Sequence, residues 1–293
     1  MLLIISCLFL FLFLSHPSLI FEGASEGLLL WFYTVLPTLF PFMVITSILV
    51  SSKALFSLAN HSLVAIICGF TCGYPMGGKI IFDLWNKQYI SSQQAGYLLS
   101  FCNNASPMFI SSYFVIQCLE MPSLMIPSII ILFLSPILCS FVFRRYHFSK
   151  DGIKGTGTIS HLKCSSSGIE LFDFAITGSM ENIVKIGGYI IFFSILFKLG
   201  KYYIGSIDFF KYFLIPSLEI TNGLKLLSQY PLFFWQKYIL MMSHLSFGGI
   251  CALFQTKCVL KDTPISLSVY TIEKLITALV TSLLSYFYIR ILF

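Results

Sequence analysis

Two ionisable side chains stand next to helix-breaking residues in a chain that has few charges. Lys79 closes the run Gly73-Tyr74-Pro75-Met76-Gly77-Gly78, and Glu219 opens the run Ile220-Thr221-Asn222-Gly223. Inside a membrane an ammonium beside a broken helix can offset an anion. A carboxylate there must be paired or protonated, and either state suits a proton or cation site. Two further stretches offer neutral polar groups. Asn103-Asn104-Ala105-Ser106-Pro107 places two amides and a hydroxyl ahead of a proline suited to the first turn of a helix. Ser246-Phe247-Gly248-Gly249, with Gln255 further on, supplies a hydroxyl, small residues for close packing and an amide. The N–H groups and dipole at the start of a half-helix can also hold an anion without a dedicated charge. This chemistry is solute binding and ion coupling.

Each stretch has a plainer reading. The stretch ending at Lys79 could be an interfacial turn whose lysine snorkels to head groups, Asn103 to Pro107 a loop, Glu219 a helix cap, and Ser246 to Gly249 a helix contact through Gly248 and Gly249. Bond-making chemistry has less to stand on. No GxSxG elbow anchors a nucleophile and no GxxxxGK[ST] loop binds ATP. The nine cysteines form no CxxC pair, and the five histidines never fall three or four residues apart. The sequence leads us to expect no enzyme activity, no metal and no cofactor.

These groups are carried by a chain of 293 residues that is 57% hydrophobic, 17% aromatic and 10% charged, with a mean hydropathy of +0.88. A soluble domain carries about 25% charged residues. The surplus apolar surface must face lipid, so the fold class is an all-α polytopic membrane protein. Disordered, disulfide-stapled and nucleic-acid-binding classes are excluded.

Residues 1–26 read as an N-terminal membrane helix over 1–21 followed by a polar break from Glu22 to Glu26. Residues 27–143 form a first membrane half. Gly27 to Val50 is kinked at Pro37 and Pro41. The stretch from Leu63 is cut by Gly73 to Gly78, and its hydropathy leaves open whether it crosses or turns back. Ser91 to Leu119 is cut at Asn103 to Pro107, and Pro122 to Phe143 is a plain span. Residues 144–168 hold Arg144, Arg145, Lys150, Lys154 and Lys163 against Asp151, which predicts a cytoplasmic loop. Residues 169–293 form a second half. It begins with an interfacial amphipathic helix over Ile169 to Asn182 and a span over Ile183 to Leu199. Segments broken at Glu219 to Gly223 and Ser246 to Gly249 follow, then a last span whose start holds Glu273 and Lys274. The two halves repeat weakly, with broken or re-entrant helices and about eight to ten membrane segments in all. Repeated halves with Gly/Pro-interrupted segments are the pattern of secondary transporters, and the four interruptions are expected to meet at one site.

The strings GFTCGYPMGGKI, SFCNNASPMFI, LEITNG and SFGGICALFQ, with WFYTVLPTLFPFMV before them, resemble the marker stretches of the sporulation integral membrane proteins of YlbJ type, which carry nucleoside-recognition (Gate) domains. The resemblance covers about residues 27 to 260. Gly78 and Ser106 stand where it leads us to expect Ala and Gly, and the chain is shorter than typical members. It implies a fold related to concentrative nucleoside transporters and movement of dipicolinate across a bacterial membrane surrounding the developing spore. The expected function is alternating-access transport of a small organic anion or nucleoside-like solute, coupled to protons or sodium. A non-transporting scaffold of a sporulation complex, bound to further copies or to other membrane proteins, is the alternative.

Overall fold

His16 separates the first two helices, Leu2–Ser15 and Pro17–Leu30. Pro17 lacks the N–H that would continue the first, and its fixed φ suits the first turn of the second. The computed structural model describes residues 2–51, 61–149, 168–260 and 263–292, and among these every regular element is helical. The second helix runs through Glu22 to Glu26 with no polar break there. Lys198, on the neighbouring helix Gly168–Ile204, lies 2.7 Å from Glu26 and 3.6 Å from Glu22. A lateral cation thus meets the two carboxylates, and Gly23 and Gly27 let the helix lie against the backbone at Ile195 and Ile191.

The same helix continues through a π turn, Trp31–Val35, into Leu36–Ser51 with Pro41 inside it. Pro37 and Pro41 each withdraw a backbone donor, and the widened turn lies directly ahead of them. Gly168–Ile204 is unbroken over 37 residues, about 55 Å at the usual rise. The separate interfacial helix expected over Ile169 to Asn182 is therefore corrected. Glu170, Asp173 and Glu181 sit on an exposed face of one long helix and do not interrupt it.

The two halves then share a plan. In the first, His61–Cys72 and Met76–Asn86 fold back on each other about Gly73, and His61 stacks on Tyr89 just past the second arm, with ring centroids 4.5 Å apart. This stretch turns back and does not cross. Ser92–Cys102 follows, unwinds at 103–106 and resumes as the π-helical Phe109–Leu119. In the second half, Phe210–Leu214 and Ile215–Leu218 reverse at Glu219 into Ile220–Gln229, and Tyr212 meets Tyr230 edge-on at 5.3 Å. The broken helix that follows is Phe234–Phe247 and Gly249–Val259, joined at Gly248. A plain span, Met125–Ser149 or Leu267–Leu292, closes each half.

The halves are inserted in opposite senses. His147, at the end of Met125–Ser149, reaches Glu273 near the start of Leu267–Leu292 at 2.7 Å, and its ring covers Gly96 near the start of the first broken helix. Trp85 at the end of the first hairpin bonds Ser92 at 2.9 Å. The open end of the first hairpin therefore lies on the side of the loop joining the halves. Ser228 at the open end of the second hairpin accepts from Lys237, and both line a cavity with Glu120 at the opposite end of the first broken helix.

Five helices are long and apolar enough to cross a membrane: Pro17–Leu49, Pro122–Phe148, Ile169–Ile204, Phe234–Val259 and Leu267–Ile291. With the first broken helix, the two hairpins and the N-terminal helix, nine segments among the described residues match the expected eight to ten. Side chains such as Ile126, Phe141 and Val142, each about 70% exposed, face outward where lipid would lie. The cytoplasmic placement expected for Arg144 to Gly168 falls largely outside the described residues.

Candidate functional site

The unwound Asn103 to Ser106 stretch is the hub on which the other interruptions converge. The amide of Asn103, fully buried, donates to Thr256 Oγ1 at 3.0 Å and to Tyr270 Oη at 2.8 Å, and its Oδ1 accepts the Gly78 N–H at 3.3 Å. One side chain thus ties the first broken helix to the first hairpin, the second broken helix and the last span. Close approach makes this possible. A Cβ at Gly77 would stand 2.9 Å from the Cys102 carbonyl, and one at Gly73 would stand 3.0 Å from Ser106. Gly73 also has a φ of +81°, which only glycine adopts without strain.

Pro75 precedes the second arm of the hairpin, and Tyr74 reaches across to the second half, donating to the Ser246 carbonyl at 3.1 Å. Gly248, at φ +88°, ends Phe234–Phe247 and leaves room for the Tyr74 ring, which a Cβ would approach to 2.6 Å. Ser246 receives a hydrogen bond from Thr281 at 2.8 Å, and Gly249 packs beside Ser217 and Ile220 at the second hairpin tip. Pro107 opens the resumed first helix, with Ser106 Oγ accepting the Phe109 N–H at 3.2 Å.

At the second tip Glu219 is 2% exposed and accepts the Thr221 and Asn222 N–H groups at 3.2 and 2.8 Å. It is a helix N-cap held inside the protein, where the carboxylate faces the positive end of the helix dipole. Asn222 donates to Ser194 on the long helix at 2.8 Å, and Gly223 packs against the backbone at Pro216.

Gly73, Tyr74, Ala105, Ser106, Glu219, Thr221, Cys251 and Gln255 line one cavity of about 80 Å³, together with Val35, Thr38 and Leu39 of the kinked helix and Ile186 and Ile190 of Gly168–Ile204. Three of the four interruptions line it directly, and the fourth, at Gly248, packs against its Tyr74 wall. The volume lies well below the ~300–1,000 Å³ of pockets that enclose organic ligands. The site is contracted around a few polar groups.

A second, wide cavity of about 930 Å³ opens on the side away from the loop. Lys198, Lys201, Lys225 and Lys237 line it against Glu26 and Glu120. Between the two cavities, Tyr113 donates to the Thr221 carbonyl at 2.8 Å and stacks on Phe109 at 5.2 Å.

Of the expected site residues, Gly73, Tyr74, Ser106, Glu219, Thr221 and Gln255 line the central cavity and the others do not. Lys79 pairs with Asp83 one turn on at 3.2 Å, is partly exposed and lines a neighbouring cavity with Lys185 and Tyr189, which shares Ile186 and Gln255 with the central one. The first hairpin does not bring it to the central cavity. Asn103 and Asn104 do not line that cavity either, because their amides are engaged in holding the half-helix ends. Sequence reasoning missed Lys274. This side chain is fully buried and donates to the Asn103 carbonyl at 3.2 Å and to Asn104 Oδ1 at 3.0 Å, with Nζ 5.1 Å from the centre of the Tyr74 ring. The available signal was a lysine carried by an apolar span, where lipid does not tolerate an unpartnered charge.

The chain is similar to the sporulation integral membrane protein YlbJ of Bacillus subtilis (strain 168), with 25% identity over 94% of this chain and 79% of that protein. No family model and no solved structure matches it.

Proposed function

We propose that this integral membrane protein is a secondary transporter working by alternating access around the contracted central cavity. The observation that carries this reading is the convergence of helix interruptions from two oppositely inserted halves on one small, mostly apolar cavity with a few polar groups in its wall. Unwound backbone at mid-membrane depth is stable only where protein or a cavity satisfies it, and two inverted halves allow the same site to open to either side in turn. The wide cavity then serves as the vestibule of the open side, and Tyr113 with Thr221 forms the closure between vestibule and site.

The solute we favour is a small organic anion. Four lysines against two glutamates around the vestibule concentrate anions at its mouth. Tyr74, Ser106 and Gln255 supply neutral hydrogen-bonding groups further in, and Glu219, held by its helix N-terminus, is the group placed to exchange a proton. A nucleoside-like solute fits the same neutral groups. We take dipicolinate as the first anion to test and a spore-surrounding membrane as the proposed location, a choice that rests on the resemblance to sporulation membrane proteins and not on the geometry of the site. The driving force is an ion gradient or the solute's own gradient.

The test is flux of labelled dipicolinate, other small organic anions and nucleosides into proteoliposomes of the purified chain. Saturable flux above protein-free liposomes for one of these solutes is expected. Absence of flux for the whole panel, from correctly folded protein under both proton and sodium gradients, overturns the reading.

A further inference from the structure

Lys274 carries a fully buried amino group whose hydrogen-bond partners are neutral oxygens. Among the described residues no acidic group lies within ion-pair distance of its Nζ, and the adjacent Glu273 is turned to His147 at 2.7 Å. Its surroundings are oxygen dipoles and a ring face: the Asn103 carbonyl at 3.2 Å, Asn104 Oδ1 at 3.0 Å, and the Tyr74 ring. The carbonyl belongs to the residue that caps the C-terminal end of Ser92–Cys102, where the helix dipole is negative. Asn104 is fixed in turn, donating to the Phe101 carbonyl at 2.5 Å, so its Oδ1 is aimed at Nζ.

Unwound backbone carbonyls and half-helix C-termini hold the coupling cation in transporters built on broken helices, and here the Asn104 amide oxygen stands beside them. Here a side chain from the last span fills that position with a covalently attached positive charge. We propose that the Lys274 ammonium is a tethered cation occupying the coupling-ion position of the first broken helix, so that this position takes no sodium in the native protein. The functional consequence, solute movement independent of sodium at this position, rests on the transporter reading above. The occupancy itself does not.

Two variants create the vacancy. Lys274→Ala removes the charge and leaves space between the Asn103 carbonyl and Asn104. Lys274→Gln fills more of the space and adds an amide oxygen as a third ligand. The full chain, purified in detergent, is unfolded by heat at constant ionic strength in choline, sodium or ethylammonium chloride. Native protein is expected to melt at the same temperature in sodium and in choline. Lys274→Ala is expected to melt lower than the native chain in choline and to recover saturably in sodium or ethylammonium. The recovery should be about 3 °C at a cation concentration tenfold above its dissociation constant. In proteoliposomes, flux should be indifferent to sodium for the native chain and become sodium-dependent for the variant, a gain that a purely structural lysine does not produce.

Saturable sodium stabilisation of the native protein overturns the proposal. So does a folded Lys274→Ala or Lys274→Gln that responds to neither cation. If Lys274→Ala does not fold, the native arm and Lys274→Gln decide. If no solute is transported at all, the transporter reading fails while the melting experiment still reports on the cation position.

Discussion

The hydroxyl of Tyr113, on the π-helical part of the first broken helix, donates to the backbone carbonyl of Thr221 at the tip of the second hairpin, over 2.8 Å and 108 residues of sequence. This single bond joins elements of the two halves between the wide cavity, which Tyr113 lines, and the central cavity, which Thr221 lines. On the transport reading proposed above, opening the cavity to that side breaks it.

Tyr113→Phe should remove the bond and keep the ring stack on Phe109. The expected loss is about 0.5–1.5 kcal/mol, seen as a modest drop in melting temperature. On the transport reading the lost bond holds the closed arrangement, so a cysteine placed at Ser106 in a background without Cys251 should become more reactive to a small soluble thiol reagent. Unchanged reactivity in a variant of lowered melting temperature would remove Tyr113 from the closure.

Neighbouring glycines of the first hairpin should respond in opposite ways to the same substitution. A Cβ at Gly77 meets the Cys102 carbonyl and Asn103 Cα at 2.9 and 3.0 Å, whereas one at Gly78 meets nothing nearer than 3.5 Å. Gly77→Ala should therefore cost about 1–3 kcal/mol through overpacking. Gly78→Ala should gain about 0.4–1 kcal/mol by restricting the unfolded chain. Thermal unfolding of the two variants side by side checks the sign of each.

Asn103→Ala should leave the Gly78 N–H without its acceptor and the Thr256 and Tyr270 hydroxyls without their amide donor. A buried group left unsatisfied costs about 1–3 kcal/mol. The loss should exceed that of Asn222→Ala, whose amide makes one interhelical bond, to Ser194. Equal melting temperatures for the two variants would show that Asn103 is not the hub the hydrogen bonds make it.

The opposite insertion of the hairpins is open to a labelling test. Gln93 lies beside the His147 and Glu273 pair, and Gln229 ends the second hairpin at the wide cavity. In a background without Cys7, Cys164 and Cys258, Gln93→Cys and Gln229→Cys should react with an impermeant thiol reagent from opposite faces of sealed vesicles. Labelling of both from one face would contradict the inverted arrangement. Labelling of Gln93→Cys from the cytoplasmic face would agree with the orientation that the basic loop predicts.

The sequence alone determines that this is a helical membrane protein and where its helices fail. The apolar surplus has no destination but lipid, and a Gly/Pro cluster or an Asn-Asn-Ala-Ser-Pro run breaks a helix whatever surrounds it. Those are local properties of backbone and composition. Whether a broken helix turns back at Gly73 or runs on past Ser106 was decided by tertiary packing, because the two breaks are equally poor helix and differ in what lies beside them. The bare faces of Gly69 and Gly77 fit both arms of the hairpin against the chain at Cys102 and Asn103. Glu22 and Glu26 likewise look like a break until Lys198 is placed opposite them. The choice between the two lysines follows the same rule. Lys79 has a local partner four residues on and stays near solvent, whereas the oxygens that hold Lys274 come from Asn103 and Asn104, 171 and 170 residues away. A buried charge is tolerable only where the fold delivers its partners, and a linear sequence gives no measure of which distant groups will arrive.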